Sequence, residues 1–341
     1  MSIGATRAAG IALLTAGLVI LAWVAGSLAR PDAEGHRYEF VEEGVAGEFQ
    51  DLALDDWPEL PIQRYEIHAP ETDFPLARVL IGSDREGKPL LLEWQNLTTE
   101  PVITQTASLA ELRDLARAIT VHTPDDALIL AWWDVSRQLE LLSGRETLFE
   151  THLGEPLLLP HHWSGIRSAI QTTERNFWQD GGSTEAFMRF TEALLQNEST
   201  GAEQLRALSG NRPSYLVLHV ADAYKMGALY PERFGTGYRD FANTGQTHGL
   251  IGRVKEWLRV HDYPGYTIAE SSLRSFRVQY LTDEPTTRTL LAQALPFSTS
   301  KVMMSQDLEP VYQQGGFWVY RLAQQGRGVS TESHAASEIY Q

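Results

Sequence analysis

Two apolar segments, each ending in aspartate, constrain this chain most. The first runs from Ala127 through Leu128, Ile129, Leu130, Ala131, Trp132 and Trp133 and stops at Asp134. The second runs from Tyr215 through Leu216, Val217, Leu218, His219 and Val220 and stops at Ala221-Asp222. A short apolar run without alternation is the pattern of a strand buried on both faces. Beyond the first run, Asp134 and Ser136 are good helix N-caps, Leu139, Leu141 and Leu142 follow, and Gly144 closes the segment as a C-cap glycine would. A strand that passes through a polar turn into a helix is half of a βαβ unit. Ligands of open α/β sheets gather at the carboxyl ends of such strands. Asp134, Ser136 and Arg137 are therefore expected at a crevice, and Asp222 faces the same crevice if the two strands are parallel neighbours.

The remaining pattern supports an α/β protein. Ser108-Leu109-Ala110-Glu111 is a capping box, followed by Leu112, Leu115, Ala116 and Ile119 at helical spacing. Ile62 to His68 alternates in part, and Leu76–Ile81 and Leu90–Trp94 flank a turn as an antiparallel hairpin would. A short strand is expected over Thr147–His152, helices over Thr184–Gln196 and Glu203–Leu208, and a helix over Leu250–Leu258. Ser275–Leu281 reads as a strand, Thr286–Leu295 as a helix stopped by Pro296, and Val311–Tyr320 as a closing hairpin. Gly227–Gly249 reads as a long loop carrying Arg233 and His248, and loops of that length are often functional. The expected fold class is α/β, a mixed sheet with helices on both faces, preceded by a single N-terminal transmembrane helix.

That helix rests on positions 1–30. Arg7 is the sole charge before Arg30, and Ala8 to Ala29 is apolar apart from glycines, Thr15 and Ser27. Twenty-two helical residues span roughly 33 Å, enough for a bilayer core. Ser27-Leu28-Ala29 also has the small residues of a signal cleavage site, so an anchor and a cleaved signal are both open. Arg7 on one flank and Asp32, Glu34, Glu39, Glu42 and Glu43 on the other orient the chain outward. The expected organisation is an anchor over 1–30, an acidic linker over 31–60, a periplasmic α/β domain over 61–322 and a disordered tail over 323–341.

Net charge is −16 over 341 residues, with 44 acidic side chains against 28 Lys and Arg. Nucleic acid and anionic lipid are poor partners for such a chain, while a basic protein is permitted. There are no cysteines. That excludes disulfides, thiolate metal sites and covalent c-type haem attachment. An exported chain without disulfides points to a bacterial periplasm.

Chemistry-bearing motifs are sparse. No HExxH, no G-x-S-x-G and no glycine-rich phosphate loop follows a strand. His161 and His162 are adjacent, so they share a metal only from a bent loop, and His219 inside an apolar strand is more often a satisfied core residue than a ligand. The ligand-binding candidates are Asp134, Ser136, Arg137, Asp222, His248 and Arg233. Asp134, Asp222 and His248 would line the crevice, with Arg137 holding an anion.

The chain resembles a known family in four strings: Asp126 to Arg137, Tyr230 to Gly235, Thr247 to Gly252 and Val311 to Tyr320. These look like HaoB, the hydroxylamine oxidation accessory protein, and the likeness spans most of positions 100–322. The resemblance implies a link to the octahaem hydroxylamine dehydrogenase and carries no catalytic residues with it. Trp132-Trp133-Asp134 is also similar to the Trp-Trp-Asp motif of oligosaccharyltransferase catalytic subunits. Val135-Ser136 departs from the Tyr-Gly that follows there, and no multi-span membrane domain is present, so the likeness reaches no further than an α/β fold.

The expectation is a non-enzymatic, membrane-anchored periplasmic accessory protein without cofactor or metal. It would assist assembly, docking or electron transfer of hydroxylamine dehydrogenase or a periplasmic cytochrome, and it would bind no nucleic acid. The alternative is a metal-dependent enzyme or metal-binding protein acting on a small nitrogen compound.

Overall fold

The computed structural model describes residues 35–323, apart from 50–51, 53, 70–73, 84–86, 99–106, 150–164, 179–183, 211, 243–246, 273–274 and 301–305. The N-terminal apolar segment, His152, His161, His162 and the tail from 324 lie outside the described residues. Among the described residues no helix is long and apolar enough to cross a membrane.

The chain opens with four antiparallel strands in sequence order: β1 (Arg37–Val45), β2 (Pro61–His68), β3 (Pro75–Ser83) and β4 (Pro89–Asn96). The stretch expected to be an acidic linker is thus structured from Arg37. Between β1 and β2, Ala46, Leu52 and Leu54 are buried against Ile62, Leu90 and Leu92. Surface acidity was the misleading signal: β1 is an edge strand, so its acids face solvent while its backbone pairs with β2.

Helix α1 (Leu109–His122) starts at the capping box, in which Glu111 N–H donates to Ser108 Oγ and Ser108 N–H to Glu111. Then come β5 (Leu128–Leu130), α2 (Trp133–Ser143) and β6 (Glu146–Thr147). Gly144 ends α2 at φ 68°, a left-handed conformation that favours glycine. Helices α3 (Arg167–Trp178), α4 (Thr184–Leu195) and α5 (Glu198–Leu208) lead to β7 (Ser214–His219) and α6 (Asp222–Leu229).

The stretch expected to be a long loop is mostly regular. It holds the end of α6, strand β8 (Thr236–Ala242) and the start of α7 (Thr247–His261). Gly227, Gly235 and Gly237 serve close approach: a Cβ on Gly237 would lie 2.5 Å from the Tyr280 hydroxyl. Strands β9 (Gly265–Ser272) and β10 (Ser275–Leu281) complete a second sheet in the order β8-β10-β9. Leu250, Val254 and Leu258 of α7 pack on it around Val278. Two short helices, α8 (Glu284–Thr287) and α9 (Leu290–Ala294), replace the single helix expected there, because Asp283 and Thr289 each cap a new start.

The closing hairpin β11 (Leu308–Gln314) and β12 (Phe317–Leu322) joins the third sheet, ordered β11-β12-β7-β5-β6. The protein is therefore mixed α/β, with three sheets instead of one. The third is the mixed one: β5 is parallel to β6 and β7, and β12 is antiparallel to β7. Every side chain from Leu128 to Leu130 and from Tyr215 to Leu218 is buried, so both faces of these strands are covered. Side chains of α1, α2, α4, α5 and α9 share that core. Each fully buried leucine there contributes about 1.5–3 kcal/mol.

The mixed and four-stranded sheets are joined through α2. Arg137 donates to the Pro89 carbonyl and Gln138 to the Leu91 carbonyl. These belong to β4, an edge strand, whose exposed carbonyls would otherwise invite pairing with another chain.

Candidate functional site

Strands β5 and β7 are parallel neighbours, with Ile129 opposite Tyr215 and Leu130 opposite Leu216. Both chains then turn into helices on the same side, so α2 and α6 begin close together. Asp134 is the second residue of α2 and Asp222 the first of α6. Neither Asp134 nor Ser136 caps its helix. The residue at the N-cap is Trp132, whose side chain makes no capping hydrogen bond. Burial decided this: Trp132 is fully enclosed among Phe187 and Phe190, and the helix starts directly behind it. Asp134 instead places its charge within the first turn, where the helix dipole favours an anion. Ser136 turns inward and donates to the Trp132 carbonyl at 2.9 Å.

The two aspartates meet on a lysine. Lys225 lies three residues past Asp222 on α6, and its Nζ is 2.6 Å from Asp134 Oδ2 and 3.3 Å from Asp222 Oδ1. It also sits 5.4 Å from the centroid of the Trp132 ring, within cation–π range. All three charged side chains are 2–3% exposed. The second Asp222 oxygen accepts from the His219 backbone N–H at 2.7 Å, and His219 Nδ1 in turn accepts from Ala221 N–H.

Burial dominates the electrostatics. It pushes Asp222 up to about 7 against the pull of Lys225, and it raises Asp134 as well. Lys225 is desolvated too, yet its two carboxylate neighbours outweigh that cost and hold it protonated above its ordinary value. The His219 imidazole is driven down to about 3, first by burial and then by the Lys225 charge, so it is neutral near pH 7. Two acids and one base with one raised carboxyl make a cluster that approaches neutrality by keeping a proton.

The other candidates lie apart from this cluster. Arg137 is buried and gives a donor to the Pro89 carbonyl on the four-stranded sheet. Arg233 pairs with Glu192 of α4 through two contacts, at 2.7 and 2.9 Å, near the surface. His248 falls in the first turn of α7, the helix of the three-stranded sheet, and its side chain lies outside the described residues. Among the described residues no group of three His, Asp or Glu side chains is placed to hold a metal. Where Asp134 and Asp222 converge, the third corner is a cation.

Lys225 escaped the sequence reading. Its only trace there is Asp222 three residues earlier, one turn away on the helix that follows an apolar strand. A second buried cluster escaped entirely. Glu174 of α3, 1% exposed, accepts from Tyr38 at 2.7 Å and from the Trp178 indole at 3.0 Å, and lies 2.6 Å from His36 Nε2. It ties the first described residues of the chain to α3.

Comparison with known proteins adds three findings. A family model described as HaoA-associated protein HaoB matches residues 3–322. No curated protein matches the chain. Among solved structures, the crystal structure of the C. jejuni pglb C-terminal domain is similar at 12% identity, covering 62% of this chain and 99% of that one, with a TM-score of 0.36.

Proposed function

This chain belongs to the HaoA-associated protein HaoB family, and from that membership we propose a non-enzymatic accessory protein of hydroxylamine oxidation, tethered to the inner membrane with its folded part in the periplasm. Its partner in this reading is HaoA, hydroxylamine dehydrogenase, which it helps to assemble, to dock or to pass electrons onward. The observation that carries the proposal is the family match along nearly the whole chain.

The geometry of the βα turns supports it. The carboxyl ends of β5 and β7 are where an α/β sheet would take a small ligand. Here that place is filled by the chain's own Asp134–Lys225–Asp222 cluster. That ion cluster joins the two βα units to each other. The tether rests on the apolar stretch from Ala8 to Ala29 and on the charge difference across it.

The test is affinity capture of the tagged full chain from detergent-solubilised membranes of its native host. Hydroxylamine dehydrogenase should be recovered and identified by its haem absorbance. Clean capture of the chain with neither that enzyme nor any cytochrome would end the proposal.

A further inference from the structure

The chain is fixed to α3 from its first described residues. Gly35 lies so close to that helix that a Cβ on it would be 2.7 Å from Thr173 Oγ1 and 2.9 Å from the Ala169 carbonyl oxygen. His36 and Tyr38 lie 2.6 and 2.7 Å from the buried Glu174, and the Tyr38 ring stacks on Phe177 at 3.7 Å. Only the five residues from Arg30 to Glu34 separate the apolar stretch from this anchorage. Fully extended, a chain from Ala29 to Gly35 spans at most about 20 Å. In the tethered reading, the lipid headgroup layer takes up about 5–7 Å of that. A folded part of this size is about 50 Å across, so its far side cannot reach the bilayer, and the point of attachment decides which side does.

The surface beside that point has its own chemistry. Helix α3 turns Ile170 and Trp178 into the core of the four-stranded sheet, with Ile166 and Phe177 packed against it. Its only acid, Glu174, is buried. It exposes Arg167, Ser168, Thr172, Arg175 and Asn176, one stripe at helical spacing that carries hydrogen-bond donors and no carboxylate. Helices α1, α4, α5 and α7 each expose a glutamate, at Glu111, Glu185, Glu203 and Glu256. At −16 the chain as a whole is repelled by anionic lipid, so contact has to come from a face without acids. Arg30 is offset by Asp32 and Glu34, so the attraction belongs to the stripe and not to the linking residues.

We propose that the exposed face of α3 lies on the phospholipid headgroups of the membrane that holds the chain. Arg167 and Arg175 would meet lipid phosphates, for which the guanidinium fork is suited. Ser168, Thr172 and Asn176 would donate to phosphate or ester oxygens. The inference rests on the tether proposed above and adds an orientation to it. On charge alone α7 is the competing face, since it exposes Arg253, Lys255 and Arg259 around Glu256. The short link from the apolar stretch leads to α3, where Gly35 is packed.

The test uses the full chain reconstituted in vesicles of equal parts phosphatidylglycerol and phosphatidylcholine, doped with a lipid that carries a nitroxide on its headgroup. The chain has no cysteine, so Thr172→Cys on α3 and Val260→Cys on α7, both at exposed positions, each give a single thiol for a fluorophore. The chain should float with the vesicles. The label on α3 should lose most of its fluorescence to the nitroxide, and the label on α7 should keep most of its own. A Gly/Ser insert of about 20 residues after Asp32 lengthens the link and separates docking from mere proximity. With the insert, quenching on α3 should persist on these vesicles and drop on phosphatidylcholine alone. Adding Arg167→Glu with Asn176→Glu to the lengthened chain should weaken it about fivefold or more. Circular dichroism of each variant confirms that the fold is kept. A chain that does not float would overturn the tether and this inference with it. Floating without quenching on α3, or with stronger quenching on α7, would overturn the orientation and leave the tether standing, with the α3 face free for a protein partner. Loss of quenching on both lipid mixtures once the link is lengthened would reduce the contact to proximity and overturn the docking. Quenching unchanged by the charge reversal would overturn the electrostatic contact.

Discussion

Lys225 holds two carboxylates that come from different βα units. Replacing it with methionine keeps much of the volume but strands Asp134 and Asp222 in the core. Loss of one partner of a buried ion group costs about 3–5 kcal/mol, so Lys225→Met should lower unfolding stability by that amount in a denaturant titration. Adding Asp134→Leu should restore part of it, because one stranded charge goes with it. The same cluster makes a signed pH prediction. Asp222 titrates at about 7 when folded, above its ordinary 3.8, so its contribution is full below the lower value and is lost as pH rises through the upper one. His219 titrates at about 3 when folded, below its ordinary 6.5, so its contribution is full above 6.5 and is lost as pH falls. Between about pH 4 and 6.5 the two slopes oppose each other, and the raised Asp134 adds to the aspartate side. Asp222→Asn should expose the histidine slope, with stability falling on acidification. His219→Gln should expose the aspartate slope, with stability falling as pH rises. Denaturation midpoints across that range check both, and parallel slopes in the two variants would refute the assignment.

At the scale of elements, small residues decide how closely helices approach. Gly201 lies where α5 crosses α4: a Cβ there would be 2.4 Å from the Ala193 carbonyl oxygen and 2.7 Å from Leu290. The first obstacle is backbone, so α5 would have to move. Gly201→Ala should destabilise by about 1–3 kcal/mol in thermal or chemical unfolding. At Gly252 in α7, a Cβ would meet nothing within 4 Å. There the same substitution should stabilise by about 0.5–1 kcal/mol, through helix propensity alone. The opposite signs at two helical glycines separate packing from propensity. Element joints matter as well: Arg137 and Gln138, on a helix of the mixed sheet, cover the free edge of β4.

The whole molecule is strongly acidic, at −16. In the accessory reading this charge acts on association more than on fold. Binding to a basic face of the partner should weaken steadily as salt rises from about 50 to 300 mM, since the screening length falls below about 10 Å over that range. Sedimentation of the mixed proteins at several salt concentrations measures it. Salt-independent association would point to a dry, apolar interface instead of one driven by charge.

How much was legible beforehand differs between elements and contacts. Local signals carried far. The two unalternating apolar runs announced strands covered on both faces, the Ser108–Glu111 box announced α1, and the final hairpin was placed by its glycine turn. These depend on propensity, periodicity and capping, which act within a few residues and so are written in the chain. What depended on folding was which groups meet. The start of α2 falls at Trp133, ahead of Asp134, because Trp132 was worth more inside the core than a cap was at the surface. Acidity hid β1, since strand pairing uses backbone atoms that composition does not report. Lys225 gained Asp134 from 91 residues away, and Glu174 gained Tyr38 and His36 from 136 and 138 residues away. Contacts across such separations are set by sheet order and helix packing, and only the tertiary structure determines them.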